Sequence, residues 1–266
     1  MKTTVVIPLY GGEDDLSECL VSLQRCKDLV AEVVVVDNAS PDNAAEVALS
    51  FENVTLVKVG VNSGFSAACN RGFRYCQTET VLFLNSDTLV PSHGLRELLS
   101  TLDSDKRIAI AGPYTNYSGY HQQIDERPNG LDDLEAFADA FAKQSRPDLD
   151  VDMLTGFCMA IRSDWFEAVD GFDEKFGVGT WEDNDICYRC IREQRRLVLA
   201  AKSFIFHYGS RSFGRSKEDA NAVFNKNRSY FIHKWQKDIR DGFASGLPGL
   251  CSDPIVFNRA KSNANR

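Results

Sequence analysis

Val33-Val34-Val35-Val36-Asp37 decides the fold. Successive side chains of a strand point to opposite faces, so four valines in a row need cover on both, the condition met inside parallel sheets packed between helices. Upstream, Thr4 to Leu9 is another apolar, β-rich run, ended by Pro8, Tyr10, Gly11 and Gly12, and Leu16, Leu20 and Leu23 then recur at helical spacing. Downstream, the pattern predicts a helix from Asn43 to Phe51, a strand from Val54 to Val59, a helix from Ser66 to Cys76 and a strand from Val81 to Leu84 that stops at Asn85-Ser86-Asp87. A helix over Leu95 to Leu102 and a strand over Ile108 to Ala111 complete a half-sheet. The alternation implies an α/β fold with one mostly parallel sheet, helices on both faces, the pattern of a nucleotide-binding half-sheet, followed by a smaller substrate-facing region.

Beyond Gly112 the periodicity weakens. Pro113 through Gln123 is uncharged, polar and aromatic, and Leu131 to Lys143 restores a helix. A strand is expected over Asp152 to Ile161, a short helix over Asp164 to Val169, a helix over Trp181 to Glu193, a strand from Leu197 to Phe206 that delivers His207, and a basic, aromatic-rich helix from about Lys217 to Trp235. These patterns divide the chain into 1–112, a ligand-binding half, 113–237, a catalytic half, and 238–266, a tail or linker that can lead into further domains of a longer chain.

Composition narrows the function. The 266 residues carry 30 Lys plus Arg against 38 Asp plus Glu, a net charge of −8. Such an acidic chain offers no general affinity for nucleic acid, so no nucleic-acid partner is expected. No uncharged apolar run reaches the roughly 18–20 residues of a membrane helix, and Val5 to Tyr10 is too short for a secretory signal, so no transmembrane segment is expected. The eight cysteines include one C-x-x-C pair, Cys187 and Cys190, with no second pair to complete a zinc site, and buried reduced thiols suit the cytoplasm. The turn after the first strand, Gly11-Gly12-Glu13-Asp14-Asp15, lacks the G-x-G-x-x-G pattern and its carboxylates would repel a pyrophosphate. No phosphate-binding P-loop and no nucleophile elbow occur either.

Several positions carry chemistry, and each has two readings. Asp37 at a strand end can accept hydrogen bonds from a ribose or a base, or simply open the Asp-Asn-Ala-Ser-Pro-Asp turn. Asp87 can face a diphosphate only across a cation, or form a turn before Pro91. In Thr180-Trp181-Glu182-Asp183-Asn184-Asp185, Thr180 and Asp183 can form a variant capping box, which explains the acidity without chemistry. Gly171, Gly177 and Gly179 around Phe172, Phe176 and Trp181 also suggest a flexible aromatic platform beside a carboxylate. His207 fits a structural role or a ligand.

Taken in order, the pieces Val5-Val6-Ile7-Pro8-Leu9-Tyr10, Val35-Val36-Asp37-Asn38-Ala39-Ser40, Asn62-Ser63-Gly64-Phe65-Ser66-Ala67-Ala68-Cys69-Asn70-Arg71-Gly72, Asn85-Ser86-Asp87 and Glu182-Asp183 followed by His207 resemble family-2 glycosyltransferases of the GT-A fold. Gly112 to Gly119 and Asp152 to Met159 resemble the bacterial members that build surface polysaccharides or glycosylate proteins. The resemblance implies an inverting, metal-dependent hexosyltransferase-type enzyme moving a sugar from a UDP- or dTDP-sugar to a hydroxyl of a glycan, lipid-linked or protein acceptor. It places Pro8, Tyr10, Asp37, Asn62, Gly64, Asn70, Ser86, Asp87 and Trp181 at the donor, and Asp183 as base with Glu182 beside it. Asp87 and His207 would hold Mn²⁺ or Mg²⁺, the mixed oxygen and nitrogen donors favouring Mn²⁺. Asn85 departs from the family's acidic pattern and leaves one charged ligand where two are usual. Arg211, Arg215 and Lys217 can close over the diphosphate or form a solvated loop. Two alternatives are a non-catalytic nucleotide-sugar-binding module and a sugar-nucleotide nucleotidyltransferase, although the first loop lacks the cation that the latter uses.

Overall fold

The structure, a computed structural model, describes residues 2–118, 120–128, 131–209 and 217–240. Its strands are β1 Thr3–Leu9, β2 Val30–Asp37, β3 Val54–Lys58, β4 Thr80–Leu84, β5 Thr88–Leu89, β6 Ile108–Tyr114, β7 Leu149–Asp150, β8 Cys158–Arg162, β9 Arg196–Phe204 and β10 Phe206–His207. The helices are α1 Glu13–Gln24, α2 Ala44–Ala48, α3 Phe65–Phe73, α4 Ser92–Ser104, α5 Leu131–Ala142, α6 Ser163–Ala168, α7 Glu182–Arg192 and α8 Lys217–Arg240.

Eight strands form one sheet in the order β3-β2-β1-β4-β8-β6-β9-β7. Six of them (β3, β2, β1, β4, β6 and β9) run the same way, and β8 and β7 are reversed. The four valines of β2 are buried, paired to β1 on one side and β3 on the other. Their side chains divide between two cores. Val33 and Val35 pack with α1 and α4 residues such as Leu20 and Leu98, whereas Val34 and Val36 pack with α3 and α7 residues such as Cys69 and Ile186. Each face therefore removes branched apolar surface from water, at about 25 cal/mol per Å².

In the second half the structure moves several expected boundaries. The strand expected over Asp152–Ile161 begins only at Cys158, because backbone N–H groups before it bind side chains and not a ladder. Thr155 N–H donates to Gln122 Oε1 (2.7 Å) and Gly156 N–H to Asp183 Oδ2 (3.1 Å). The last strand is two: β9 ends at Phe204, and β10 leaves the large sheet to pair antiparallel with β5. The helix expected over Asn43–Phe51 is the shorter α2. Finally, α8 runs three residues past the expected boundary at 237, and Asp238 accepts from Tyr188 Oη (3.0 Å) and pairs with Arg192 (2.8 Å) on α7. Residues 241–266 lie outside the described residues. No described helix is long and apolar enough to cross a membrane.

Candidate active site

A cavity of about 630 Å³ opens at the carboxyl ends of β1 and β4, the edge where open α/β sheets hold ligands. Its charged lining is Asp87, Glu182, Asp183 and His207, with no Lys or Arg among the described residues. Asn85 and Ser86 also line it, together with Pro8, Tyr10, Asn38 and Asn62 from the first half and Tyr117, Thr155, Gly156 and Thr180 from the second.

Asp87 and His207 meet although 120 residues separate them in the chain. The β5–β10 ribbon sets His207 opposite Thr88, and Tyr208 N–H donates to the Asp87 carbonyl (3.0 Å). Phe157 stacks on the imidazole (centroids 4.8 Å, 14° between planes). His207 Nδ1 lies 2.9 Å from the Tyr117 carbonyl, which can only accept, so Nδ1 carries the proton of that bond. The ring then turns its other nitrogen, Nε2, toward Asp87 Oδ1, 3.2 Å away. A carboxylate oxygen and a ring nitrogen this close need a positive charge, a proton or a cation, between or beside them. Ligands at about 2.1 Å and right angles around a divalent ion are about 3.0 Å apart, so this donor pair fits one. Asn85 Nδ2 sits 3.5 Å from the same nitrogen, where a second carboxylate would otherwise add charge. Among the described residues no cluster of three or more His, Cys, Asp or Glu forms a metal cage.

The second acidic pair stands at the N-terminus of α7. Glu182 is buried, its Oε2 has no hydrogen-bond partner among the described residues, and burial together with the adjacent Asp183 pushes its carboxyl up to about 8. Asp183 is also raised by burial. Hydrogen bonds from Gly156 N–H and Asn184 N–H (2.8 Å) partly oppose that shift and fix both oxygens. A carboxylate held in place and more basic than usual is equipped to take a proton.

The turn before α7 differs from the expected capping box. Trp181 and not Thr180 occupies the N-cap, no side chain caps the helix, and Thr180 and Trp181 both have left-handed φ values (73° and 72°). Each such residue costs on the order of 1 kcal/mol. Gly64 at the start of α3 (φ 88°) reaches the same turn: a Cβ there would lie 1.8 Å from the Gly177 carbonyl oxygen. Asn38, which carried no expected role, holds Gly64 in place, donating to its carbonyl (3.1 Å) and accepting from Ser63 Oγ (2.9 Å).

Not every candidate faces the cavity. Asp37 is buried and accepts from Ser40 N–H (2.9 Å), the turn reading. Asn70 donates to the Phe172 carbonyl (2.8 Å) and Glu174 (3.0 Å) and accepts from Phe172 N–H (2.8 Å), fastening α3 to the second half. Trp181, Phe172 and Phe176 are buried, so the expected aromatic platform is core packing: Phe172 sits among Phe83 and Phe166, and Trp181 against Phe224 and Phe231 of α8. Cys187 and Cys190 are packed thiols whose Sγ atoms approach the Leu154 and Arg196 carbonyls, both 3.5 Å. Arg211 and Arg215 lie outside the described residues, as does the side chain of Lys217.

With this geometry in hand, kinship is decisive: the sequence model of glycosyl transferase family 2 matches residues 4–170. The chain belongs to glycosyltransferase family 2. It is 29% identical over 195 residues to the low-salt glycan biosynthesis hexosyltransferase Agl10 of Haloferax volcanii, a match spanning 71% of this chain and 62% of that one. It is 26% identical over 250 residues to the dolichol-phosphate mannosyltransferase of Pyrococcus furiosus, spanning 90% and 66%. The chain therefore covers less than two thirds of either relative. In fold it is similar to the mannosyltransferase PcManGT of Pyrobaculum calidifontis in complex with GDP-Man and Mn²⁺ (TM-score 0.64, 20% identity, 90% of this chain and 64% of that one). It is also similar to S. aureus TarS 1–349 in complex with UDP-GlcNAc (TM-score 0.62, 18% identity, 87% and 67%). The fold is thus GT-A.

Proposed function

We propose that this family-2 glycosyltransferase moves a hexose from a UDP- or dTDP-sugar to an acceptor hydroxyl with inversion at the anomeric carbon, in the synthesis of a bacterial surface polysaccharide or another glycoconjugate. The observation that carries the proposal is that one cavity is lined both by an Asp–His pair suited to a divalent cation and by a fixed carboxylate of raised basicity. Electrostatics adds support: the cavity is lined by carboxyl groups and by no Lys or Arg among the described residues, so a diphosphate entering it lacks a positive partner unless a cation accompanies it.

Asp87 and His207 would hold Mn²⁺ or Mg²⁺, and the ion supplies the positive charge that stabilises the leaving diphosphate. Pro8, Tyr10, Asn62 and Ser86 line the wall that receives the donor. Asp183 accepts the acceptor hydroxyl proton as that oxygen attacks, a contribution of about 10²–10⁴ in rate. Glu182, its carboxyl pushed up to about 8 by burial, stands beside Asp183 and offers an O–H to a sugar hydroxyl. The acceptor is a hydroxyl on a glycan, a lipid-linked sugar or a protein. Among the relatives are a glycan-biosynthesis hexosyltransferase and, at 35% identity over 102 residues (36% of this chain and 16% of that one), the poly(ribitol-phosphate) beta-glucosyltransferase of Bacillus spizizenii, which support a hexose donor and a glycan or polymer acceptor.

The test is a panel of nucleotide sugars incubated with the full chain plus Mn²⁺ or plus chelator, following nucleoside diphosphate release. Slow hydrolysis needs no acceptor. Metal-dependent release from at least one donor is expected. Nucleotide binding with no turnover on any donor or acceptor would instead establish a binding module.

A further inference from the structure

The turn that presents Glu182 and Asp183 is not held by its own sequence. Gly177, Gly179, Thr180 and Trp181 are all at positive φ, and no side chain caps α7. What meets it is one face of α8. Phe224, Asn227, Phe231, Lys234 and Trp235 recur at offsets of 3, 7, 10 and 11, a single helical stripe. Phe224 and Phe231 pack on Trp181 (centroids 5.4 and 5.3 Å). Lys234 Nζ and Trp235 Nε1 reach Asp185 Oδ1 (2.8 and 2.9 Å), two residues beyond Asp183, and Arg189 reaches Asp185 Oδ2 (3.0 Å).

Asn227 is the central member and is buried. Its Nδ2 donates to the carbonyls of Phe176 and Gly179, both at 2.7 Å, with the Thr180 carbonyl at 3.1 Å completing a three-centred contact. Because carbonyl oxygens only accept, the amide nitrogen must face them, which fixes the side-chain orientation. The two N–H groups thus bind both ends of the turn, at the point where Gly177 also touches Gly64 of the donor-side loop.

We propose that Asn227 is a positioning residue for glycosyl transfer: by tying residues 176–180 to α8 it sets where Glu182 and Asp183 stand relative to the bound donor. The proposal rests on the glycosyltransferase reading above. The residue acts through the turn, so its removal changes the rate of the chemical step and not the affinity for nucleotide. Misplacement of a reacting group by about 1 Å costs about 10²-fold.

The experiment compares Asn227→Asp, which keeps the shape but replaces two donors by acceptors facing carbonyls, with Asp238→Ala, which frees α8 from Tyr188 and Arg192 without touching the turn. Both are made in the full chain and assayed for donor hydrolysis with Mn²⁺, for nucleoside diphosphate affinity by calorimetry, and for melting temperature. The expected result is a kcat about 10²-fold lower in Asn227→Asp, with donor KM and nucleotide Kd within about 3-fold of wild type, while Asp238→Ala keeps its kcat within about 3-fold. If Asn227→Asp does not fold, Asn227→Ser is read instead; it retains one donor, and an intermediate kcat loss of about 10-fold is expected. Unchanged kcat in the variant that folds overturns the proposal, as does a kcat loss shared by Asp238→Ala in step with melting temperature. A wild-type chain that neither cleaves nor transfers from any donor removes the glycosyltransferase reading itself, and the positioning role with it.

Discussion

The two halves of this molecule build their share of the cavity by different means. In residues 3–112 the polar cavity residues lie at or just past a strand end or in the loop that follows: Tyr10 after β1, Asn38 after β2, Asn62 after β3, and Asn85, Ser86 and Asp87 after β4, with Pro8 near the end of β1 and Phe65 opening α3. In residues 113–240 only His207 lies on a strand, a two-residue one outside the main sheet; Ser118, Thr155, Gly156 and Thr180 are on irregular segments held by side-chain hydrogen bonds, and Glu182 and Asp183 open α7 directly after such a segment. A regular half positions residues through topology, and an irregular half positions them through individual tethers. Damage to the first should therefore spread through stability, and damage to the second should appear locally, in rate.

The largest expected effect probes the tethered half. Asp183→Asn should lower transfer by about 10²–10⁴-fold, while calorimetric affinity for nucleoside diphosphate with Mn²⁺ stays within about 2-fold; wild-type turnover would remove Asp183 from the chemistry. The contact between the halves comes next. Gly64→Ala must fit a Cβ against the Gly177 carbonyl at φ 88°, a loss of on the order of 2–4 kcal/mol in chemical denaturation. An unaltered midpoint would mean that the two loops separate easily.

A smaller effect depends on pH. Because the carboxyl of Glu182 rises from an ordinary 4.5 to about 8 on folding, the unfolded chain releases that proton first. The stability associated with protonated Glu182 is complete below about pH 4.5 and is lost progressively as pH rises to about 8. Glu182→Gln cannot ionise, so its melting temperature in the absence of ligand should gain on wild type across that interval and level off above it. A constant difference from pH 5 to pH 9 would contradict the burial of an ionisable Glu182.

The same contrast explains what could be read in advance. The valines of β2, the alternation of strands and helices, and the strand-end position of Asp87 follow from local periodicity, which is why the parallel half of the sheet was legible. The carboxylate pair and His207 could be named from motif order, yet nothing local in Phe206-His207 tells that they leave the large sheet to join β5, the step that brings imidazole to aspartate. Trp181 and Asn70 illustrate the opposite error. Both lie within motif segments, and the structure turns both away from the cavity into packing and fastening roles, because a motif fixes residue identity but not the direction of a side chain. Asn227 sits in a helix whose pattern reads as basic and aromatic, and its partners are backbone carbonyls about 50 residues earlier, a relation no periodicity carries.

Under the proposed function, Asp87 from the regular half and His207 from the irregular half jointly hold the cation that accompanies the diphosphate. The most direct measurement is calorimetric titration of UDP and dTDP into wild type and His207→Ala, each with Mn²⁺ and with chelator. Mn²⁺ should tighten binding by at least about 10-fold in wild type, equivalent to about 1.4 kcal/mol, and have little effect in His207→Ala. Equal tightening by Mn²⁺ in both proteins, or none in wild type, would contradict that joint role.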